Sequence, residues 1–167
     1  MKIIEPCTLV IFGAAGNLSR RKLIPALFSL EKVGRLPDKL VLLACNVEQR
    51  RREDWVAEVC NILQPLYPQG IDQEALARFS ARWHYHASAP GDDAAYLRLQ
   101  QMVDEDEAFP ANVVFYMAVR PAGVQEIIEK TGRRGFAQAK KRLAPRSGRE
   151  AIRLRLAERA DSAGKPV

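Results

Sequence analysis

The sequence predicts an α/β fold with a doubly wound, mainly parallel sheet. Short apolar segments alternate with amphipathic segments four times between residues 9 and 132, which is typical of parallel strands joined by helices. The first apolar segment breaks at a glycine turn and leads into a helix, as in nucleotide-binding domains of this class. A chain of 167 residues is long enough to bury the core of one such domain.

The first strand and helix follow from their apolar patterns. Residues 9–12 are uniformly apolar, which predicts a strand buried on both faces. A helix is predicted at 18–33, with Asn17 as its N-cap and Gly34 just after its end. Pro25 lies inside this pattern and predicts a kink. The apolar residues expected to face the sheet are Leu23, Ala26, Leu27 and Leu30.

The later segments continue the alternation. We expect strands at 40–45, 81–86 and 112–119, and helices at 52–66, 73–79, 90–103 and 122–130, with Gly132 ending the last helix. Two sets of residues at helical spacing should point inward: Trp55, Val59 and Leu63 in one helix, and Tyr96, Leu99 and Val103 in another. The alternation is lost beyond residue 140, so the sheet is predicted to be incomplete.

The glycine turn indicates a nucleotide site. Gly13 and Gly16 carry no side chain where a diphosphate would approach, and the helix start that follows attracts negative charge. Ser19, Arg20 and Arg21 lie in the first helical turn and add donors or positive charge. The Gly-x-x-Gly spacing is looser than the full dinucleotide fingerprint, so an ordinary tight turn is the alternative.

The residues after the second strand carry two kinds of side chain for ribose recognition. A carboxylate there binds a ribose 2′-hydroxyl, whereas arginines accommodate a 2′-phosphate. Glu48 offers the first, and Arg50, Arg51 and Arg52 offer the second. For each residue, a role at the solvated edge of the next helix is the alternative. Three arginines favour NADP over NAD.

Other chemistry is not indicated by the residues. No Gly-Lys-Ser/Thr follows the glycine turn, which argues against a P-loop ATPase, and no Ser/His/Asp arrangement or general base stands out. His84 and His86 share a strand face but lack a nearby third ligand, which favours a structural role over a metal site. Three scattered cysteines predict reduced thiols in a cytoplasmic protein. No apolar segment reaches the length of a membrane span, so no membrane partner is expected.

Positive charge is concentrated in the C-terminal segment. Residues 1–136 contain 17 Lys and Arg against 17 Asp and Glu, whereas 137–167 contain nine basic and three acidic residues. The alternation of strands and helices is lost in the same region. We therefore predict a domain at 1–141 and a basic, disordered tail at 142–167. No aromatic residues are interleaved with the arginines of the tail, which argues against a nucleic-acid partner.

Two motifs resemble the glucose-6-phosphate dehydrogenase family. Residues 13–27, GAAGNLSRRKLIPAL, are similar to that family's Gly-Ala-Ser/Thr-Gly-Asp-Leu, a basic pair and Leu-Ile/Leu-Pro-Ala-Leu. Residues 115–119, FYMAV, are similar to its Phe-Tyr-Leu-Ala-Val. Both motifs occur in the family's order and spacing, and the resemblance covers about residues 8–141. It implies a dinucleotide-binding domain of the Rossmann type.

The resemblance implies the cofactor domain of an NADP-dependent enzyme that oxidises glucose 6-phosphate to 6-phosphogluconolactone in the pentose phosphate pathway. The cofactor contacts that it implies are Gly13, Ala14, Ala15, Gly16, Asn17, Leu18, Ser19, Arg20 and Tyr116, with Arg50 as a substitute for the family's arginine. Lys22 would face the phosphate of the substrate. The family's catalytic histidine and substrate domain are missing, so we expect no turnover by this chain and a homo-oligomer only in the full-length family.

Three residues depart from the family's pattern. Asn17 replaces an Asp, Val47 stands where the family has its arginine for the 2′-phosphate, and Arg120 replaces the first proline of Val-Pro-Pro. A non-catalytic domain that senses NAD(P) is the alternative function. Redox-sensing regulators with the turn Gly-Ala-Thr-Gly-Asn-Leu-Gly share Asn17 and Leu18 with this chain, although Ser19 occupies the position of their third glycine.

The tail leads to a hypothesis about its origin. The family's Glu-Lys-Pro-Phe-Gly segment is absent from the sequence as it stands. The codons CGA GAA GCC ATT CGG for residues 149–153, followed by C, read GAG AAG CCA TTC GGC after a shift of one base. This reading encodes Glu-Lys-Pro-Phe-Gly. We therefore hypothesise a frame slip near residues 140–143, with 142–167 as an out-of-frame translation.

Overall fold

The structure, a computed structural model, describes residues 5–133. Its elements are β1 (Cys7–Phe12), a π-helical turn (Ser19–Leu23), α1 (Ile24–Lys32), β2 (Leu40–Asn46), α2 (Arg52–Leu63), a 3₁₀ turn (Gln64–Leu66), α3 (Gln73–Ala81), β3 (Trp83–Ala87), α4 (Asp93–Glu105), β4 (Val113–Met117) and α5 (Pro121–Arg133). The predictions of a domain end at residue 141 and of a tail at 142–167 lie outside the described residues.

The four strands form one parallel sheet in the order β3-β2-β1-β4. The register places four residues in a row across its carboxyl edge: His86, Cys45, Phe12 and Met117. This topology confirms the predicted α/β fold and corresponds to part of a Rossmann-type sheet. Because the strands are parallel, the loops that follow β1, β2 and β4 meet at this one edge.

Helices cover both faces of the sheet, each over its own apolar cluster. One cluster joins the sheet to α1, α2 and α3, and its largest fully buried side chains include Trp55, Trp83, Phe28 and Phe79. The other joins the sheet to α4 and α5, and it includes Phe12, Tyr96, Leu99 and Ile127. Both inward faces predicted for the second and fourth helices are confirmed as buried. The sheet is therefore doubly wound.

The first helix differs from its prediction in start and in orientation. Asn17 is already helical, and the first helical bond runs from the Arg20 N–H to the Gly16 carbonyl at 3.0 Å. Asn17 is therefore not the N-cap. In the π-helical turn the Ile24 N–H reaches back to the Ser19 carbonyl, which inserts one residue immediately before Pro25.

The buried face of α1 lies one position along the helix from the predicted face. The buried residues are Ile24, Leu27, Phe28 and Glu31. Each lies one position after one of the four residues that the sequence predicted to face the sheet. Leu30, expected to face the sheet, is 39% exposed, and Ala26 is exposed as well. The prediction was therefore wrong for Ala26 and Leu30 only, since Leu27 is buried and the half-buried Leu23 packs against the same cluster. The observed and predicted faces have the same helical spacing, and the charged Glu31 concealed the observed one.

Several other boundaries differ from the prediction by up to three residues; α4, for example, begins at Asp93 and not at residue 90. The second helix ends at Leu63, and Pro65 lies in the 3₁₀ turn that follows. Ala81 ends α3 instead of opening the third strand. Gly132 lies inside α5 and does not terminate it. Within residues 5–133, no helix has both the length and the apolar character that crossing a bilayer requires.

Candidate functional site

The glycine turn after β1 is held by backbone contacts to both neighbouring strands. The Gly13 N–H donates to the Cys45 carbonyl of β2 at 2.9 Å, and the Ala118 N–H, just after β4, donates to the Phe12 carbonyl at 2.9 Å. Gly13 has a φ of +78°, and a Cβ atom at this position would lie 2.4 Å from the Ala118 carbonyl oxygen. Glycine is therefore required at residue 13 by the fold itself, before any ligand is considered.

Gly16 and Ser19 stabilise the turn by hydrogen bonds to the Gly13 carbonyl. The Gly16 N–H donates to the Gly13 carbonyl at 2.9 Å, and a Cβ atom at Gly16 would lie 3.0 Å from that oxygen. The buried Ser19 hydroxyl donates to the same carbonyl at 3.1 Å. The sequence assigned the Ser19 side chain to a ligand, whereas the structure places its hydroxyl on the turn.

The helix start after the turn presents backbone donors. Because the bond from Arg20 to Gly16 is the first of the helix, the N–H groups of Asn17, Leu18 and Ser19 precede the first bonded turn. Such groups have no partner within their own helix. Asn17 and Leu18 are also exposed. An anion placed here would receive backbone hydrogen bonds and the favourable end of the helix dipole.

Asn46, the last residue of β2, is a site residue that the sequence reading missed. Its Oδ1 accepts a hydrogen bond from the Ala15 N–H at 2.8 Å. Its Nδ2 is buried and has no hydrogen-bond partner among the described residues. A polar residue at the carboxyl end of the second strand was the available signal, because ligands bind at that edge.

Arg20 and Arg50 converge on one carboxylate. Arg20, in the first helical turn, and Arg50, in the loop after β2, both form ion pairs with Glu58 of α2. Arg50 also pairs with Glu48, whose hydrogen bond raises the pKa of the guanidinium. The backbone carbonyl of Glu48 accepts from the Tyr85 hydroxyl at 2.6 Å, and burial raises the pKa of that phenol. We call Arg20, Arg50, Glu48 and Glu58 the Arg–Glu cluster.

The two arginines that follow Arg50 take other roles. Arg51 pairs with Asp54 at 2.9 Å within the start of α2. Arg52 donates from Nε to the Trp83 carbonyl at 2.6 Å and from a terminal nitrogen to the Ser80 carbonyl at 3.2 Å. These contacts tie α2 to the start of β3. Of the three arginines considered for a 2′-phosphate, only Arg50 lies beside the first helical turn.

A small pocket opens at the same edge on the α4–α5 side of the sheet. Its volume is about 190 Å³, and its lining includes Phe12, Gly13, Asn46, Tyr96, Val119 and Glu126. Burial raises the pKa of the Tyr96 phenol and of the Cys45 thiol, which also lines the pocket. The pocket is mostly apolar with few polar groups, as is usual for small-molecule sites.

The remaining candidates are spread over the fold. Tyr116 of β4 is half-buried, pairs in register with Ile11 and packs against the cluster under α1. Lys22 is exposed on the π-helical turn. His84 packs against Phe109, with ring centroids 4.8 Å apart and ring planes tilted by 57°. Within the described part of the chain, no three His, Cys, Asp or Glu side chains gather as a metal site would require.

Comparison with known proteins identifies the family. The family model described as "Glucose-6-phosphate dehydrogenase, NAD binding domain" matches residues 10–144. The chain belongs to the glucose-6-phosphate dehydrogenase family. The match covers the glycine turn, the Arg–Glu cluster and β4, so the edge described above lies within that family's nucleotide-binding domain. A nicotinamide dinucleotide is accordingly the class of cofactor that this region binds.

Individual relatives agree with the family assignment. Glucose-6-phosphate 1-dehydrogenase of Chlamydia pneumoniae is 33% identical over 127 residues, which are 74% of this chain and 25% of that protein. The enzyme of the same name from Aggregatibacter actinomycetemcomitans is 31% identical over 135 residues, or 79% of this chain and 27% of that protein. The chain thus spans about a quarter of the length of these glucose-6-phosphate dehydrogenases.

Solved structures share the fold. A glucose-6-phosphate 1-dehydrogenase from Mycobacterium avium aligns with a TM-score of 0.68 at 19% identity, covering 78% of this chain and 27% of that one. A glucose-6-phosphate dehydrogenase in complex with its substrate glucose-6-phosphate aligns with a TM-score of 0.69 at 24% identity, covering 89% and 36%. The family's fold is therefore conserved here at low sequence identity.

Proposed function

We propose that this chain is the NADP-binding part of a glucose-6-phosphate dehydrogenase. In the whole enzyme, hydride passes from the anomeric carbon of glucose 6-phosphate to the nicotinamide of the cofactor. The described residues contribute to this reaction by binding and orienting the dinucleotide. One observation carries the proposal: the glycine turn leads into an exposed helix start, and Arg20 of that first turn pairs with the same carboxylate as Arg50 from the loop after β2.

The diphosphate of the cofactor would bind at the turn. Gly13 to Gly16 bring backbone without bulky side chains to the carboxyl edge, and Ala14 and Ala15 add only methyl groups. The N–H groups of Asn17, Leu18 and Ser19 then serve as donors to the phosphate oxygens. The buried Ser19 hydroxyl supports this arrangement indirectly by holding the Gly13 carbonyl.

The 2′-phosphate of NADP would bind at Arg20 and Arg50. Val47 is 61% exposed at the position where the resemblance expects an arginine, so the charge must come from elsewhere. Arg50 is three residues further along, and its guanidinium is directed towards α2 by Glu58. A planar guanidinium suits a phosphate because it can donate two parallel hydrogen bonds.

Other members of the proposed site lie around this region. Tyr116 would contact the cofactor from the end of β4. Lys22, exposed on the π-helical turn, would face the phosphate of glucose 6-phosphate in the whole enzyme. We also expect the whole enzyme to form homo-oligomers. The three cysteines are free thiols, which supports a location in the cytoplasm.

Calorimetric titration of the chain with NADP and NAD tests the proposal. We expect Arg50→Ala to weaken NADP binding about tenfold, through loss of a charge-assisted contact of about 1.4 kcal/mol, and to change NAD binding less than twofold. Arg51→Ala is the matched control, because Arg51 pairs with Asp54 and is 76% exposed. A folded wild-type chain that binds neither dinucleotide would refute the proposed function.

A further inference from the structure

The Arg–Glu cluster contains a carboxylate that the proposed function uses only to orient Arg50. Glu58 forms ion pairs with both Arg20 and Arg50 and is only 16% exposed. It lies 38 residues from Arg20 and 8 from Arg50 in the sequence. Three separate segments, namely the first helical turn, the loop after β2 and the middle of α2, are therefore joined through this single side chain.

The cluster has no net charge. Two guanidinium groups are balanced by the carboxylates of Glu48 and Glu58, and Arg50 contacts both. A 2′-phosphate that approaches Arg20 and Arg50 therefore meets two carboxylates at the same place. Glu58 is the less exposed of the two, at 16% against 68% for Glu48, so solvent screens its charge less.

We propose that Glu58 is a specificity-determining positioning residue, which weakens the preference of this site for a 2′-phosphorylated nucleotide by pairing with Arg20 and Arg50. The inference rests on the proposed function, since it presumes that the nucleotide binds at this edge. Glu58 makes no direct contact with the nucleotide; it acts by pairing with the two arginines and through the negative charge that it keeps beside them.

Two effects of Glu58 oppose each other. Its ion pairs hold the arginines in place, which reduces the entropy lost when they bind a phosphate. Its charge also repels that phosphate. The charge has the larger effect, because Arg50 keeps Glu48 as a second anchor and a guanidinium has donors left for a further acceptor. Removing the charge while keeping a hydrogen-bonding side chain should therefore strengthen 2′-phosphate binding.

Glu58→Gln in the full chain tests this inference with 2′,5′-ADP and 5′-AMP as probes, which differ only in the 2′-phosphate. By calorimetry at low salt, we expect 2′,5′-ADP to bind about tenfold more tightly and 5′-AMP to change less than twofold. Glu105→Gln is the matched control, because Glu105 is exposed at the end of α4, near the opposite edge of the sheet. We expect this control to change neither affinity beyond twofold.

The outcomes separate the inference from the function on which it rests. If the wild type binds both probes and Glu58→Gln binds 2′,5′-ADP no more tightly, the role of Glu58 is overturned but the proposed function stands. The same holds if the affinity of the variant rises equally for both probes. A folded wild-type chain that binds neither probe overturns the proposed function and the inference together. If Glu58→Gln does not fold, Glu58→Ala replaces it, with a gain in the same direction expected for 2′,5′-ADP and none for 5′-AMP. No gain there counts against the inference.

Discussion

The Asn46 side chain holds the glycine turn through Ala15. Its Oδ1 accepts the Ala15 N–H at 2.8 Å, across 31 residues of sequence, so that the end of β2 fixes the backbone of the turn after β1. This contact also directs the Ala15 N–H towards β2. Asn46 therefore determines which donors of the turn are left for a ligand, although it was not among the residues suggested by either motif.

Asn46→Ala should destabilise the turn, because it leaves the half-buried Ala15 N–H without an acceptor. We expect a loss of about 1–2 kcal/mol in the free energy of unfolding, measured by urea denaturation. Asn46→Asp keeps the acceptor but places a negative charge beside the proposed diphosphate site. It should lose less stability than Asn46→Ala and bind 5′-AMP more weakly than the wild type. Equal stability of the two variants would contradict the role given to this bond.

Gly13→Ala should be far more costly than Gly91→Ala. Both glycines have a φ of +78°, but a Cβ atom at Gly13 would meet the Ala118 carbonyl oxygen at 2.4 Å, whereas none of the structure lies within 4 Å at Gly91. We expect a loss of about 1 kcal/mol at Gly91 from backbone strain and about 3 kcal/mol at Gly13, where steric overlap is added. Chemical denaturation of the two variants measures the difference. Similar losses in the free energy of unfolding would mean that the backbone after β4 can move to make room for the added methyl group.

Arg82 should contribute much more to stability than Arg78. Both pair with Glu31, which is 4% exposed, but Arg82 is 15% exposed and Arg78 is 54% exposed. Arg82→Ala would leave the buried carboxylate without its closer partner, and we expect a loss of about 3 kcal/mol. Arg78→Ala should cost less than about 1 kcal/mol. Thermal and urea unfolding of both variants test this, and a comparable loss in the two would show that the exposed pair matters equally.

Stability should fall as the pH is lowered below neutrality, in part through His84. Burial lowers the pKa of its imidazole from the ordinary 6.5, and the charge of Arg52 acts in the same direction, against that of Asp106. The unfolded chain therefore takes up a proton at a higher pH than the folded chain. The contribution is fully present above about pH 6.5 and is lost as the pH falls towards the folded pKa.

His84→Gln should reduce this pH dependence, as measured by the free energy of unfolding at a series of pH values between about 7 and 5. His86, whose pKa is also lowered by burial, stays in this variant, so some dependence should persist. If the free energy of unfolding of the variant depends on pH as steeply as that of the wild type, His84 does not contribute to the pH dependence.

Local sequence was sufficient for the elements and for the nucleotide turn. The faces of α2 and α4 could be predicted because the burial of an apolar stripe needs only a regular helical period. The face of α1 could be predicted only in part, since two sets of residues in it, offset by one position, have the same helical spacing. The observed face includes Glu31, whose burial depends on its ion pairs with Arg78 and Arg82 from a distant segment, so no local pattern indicated that this carboxylate points inward.

The sequence by itself determined the α/β class, the glycine turn and the family, because these depend on periodicity and on short contiguous motifs. Only the tertiary structure decided the partners of the polar side chains. The arginines after β2 have similar sequence positions, yet Arg50 joins Arg20 through Glu58 while Arg52 turns to the Trp83 carbonyl. Hydrogen bonds and ion pairs need their atoms within a few ångströms, and only the packing of distant segments brings such atoms together.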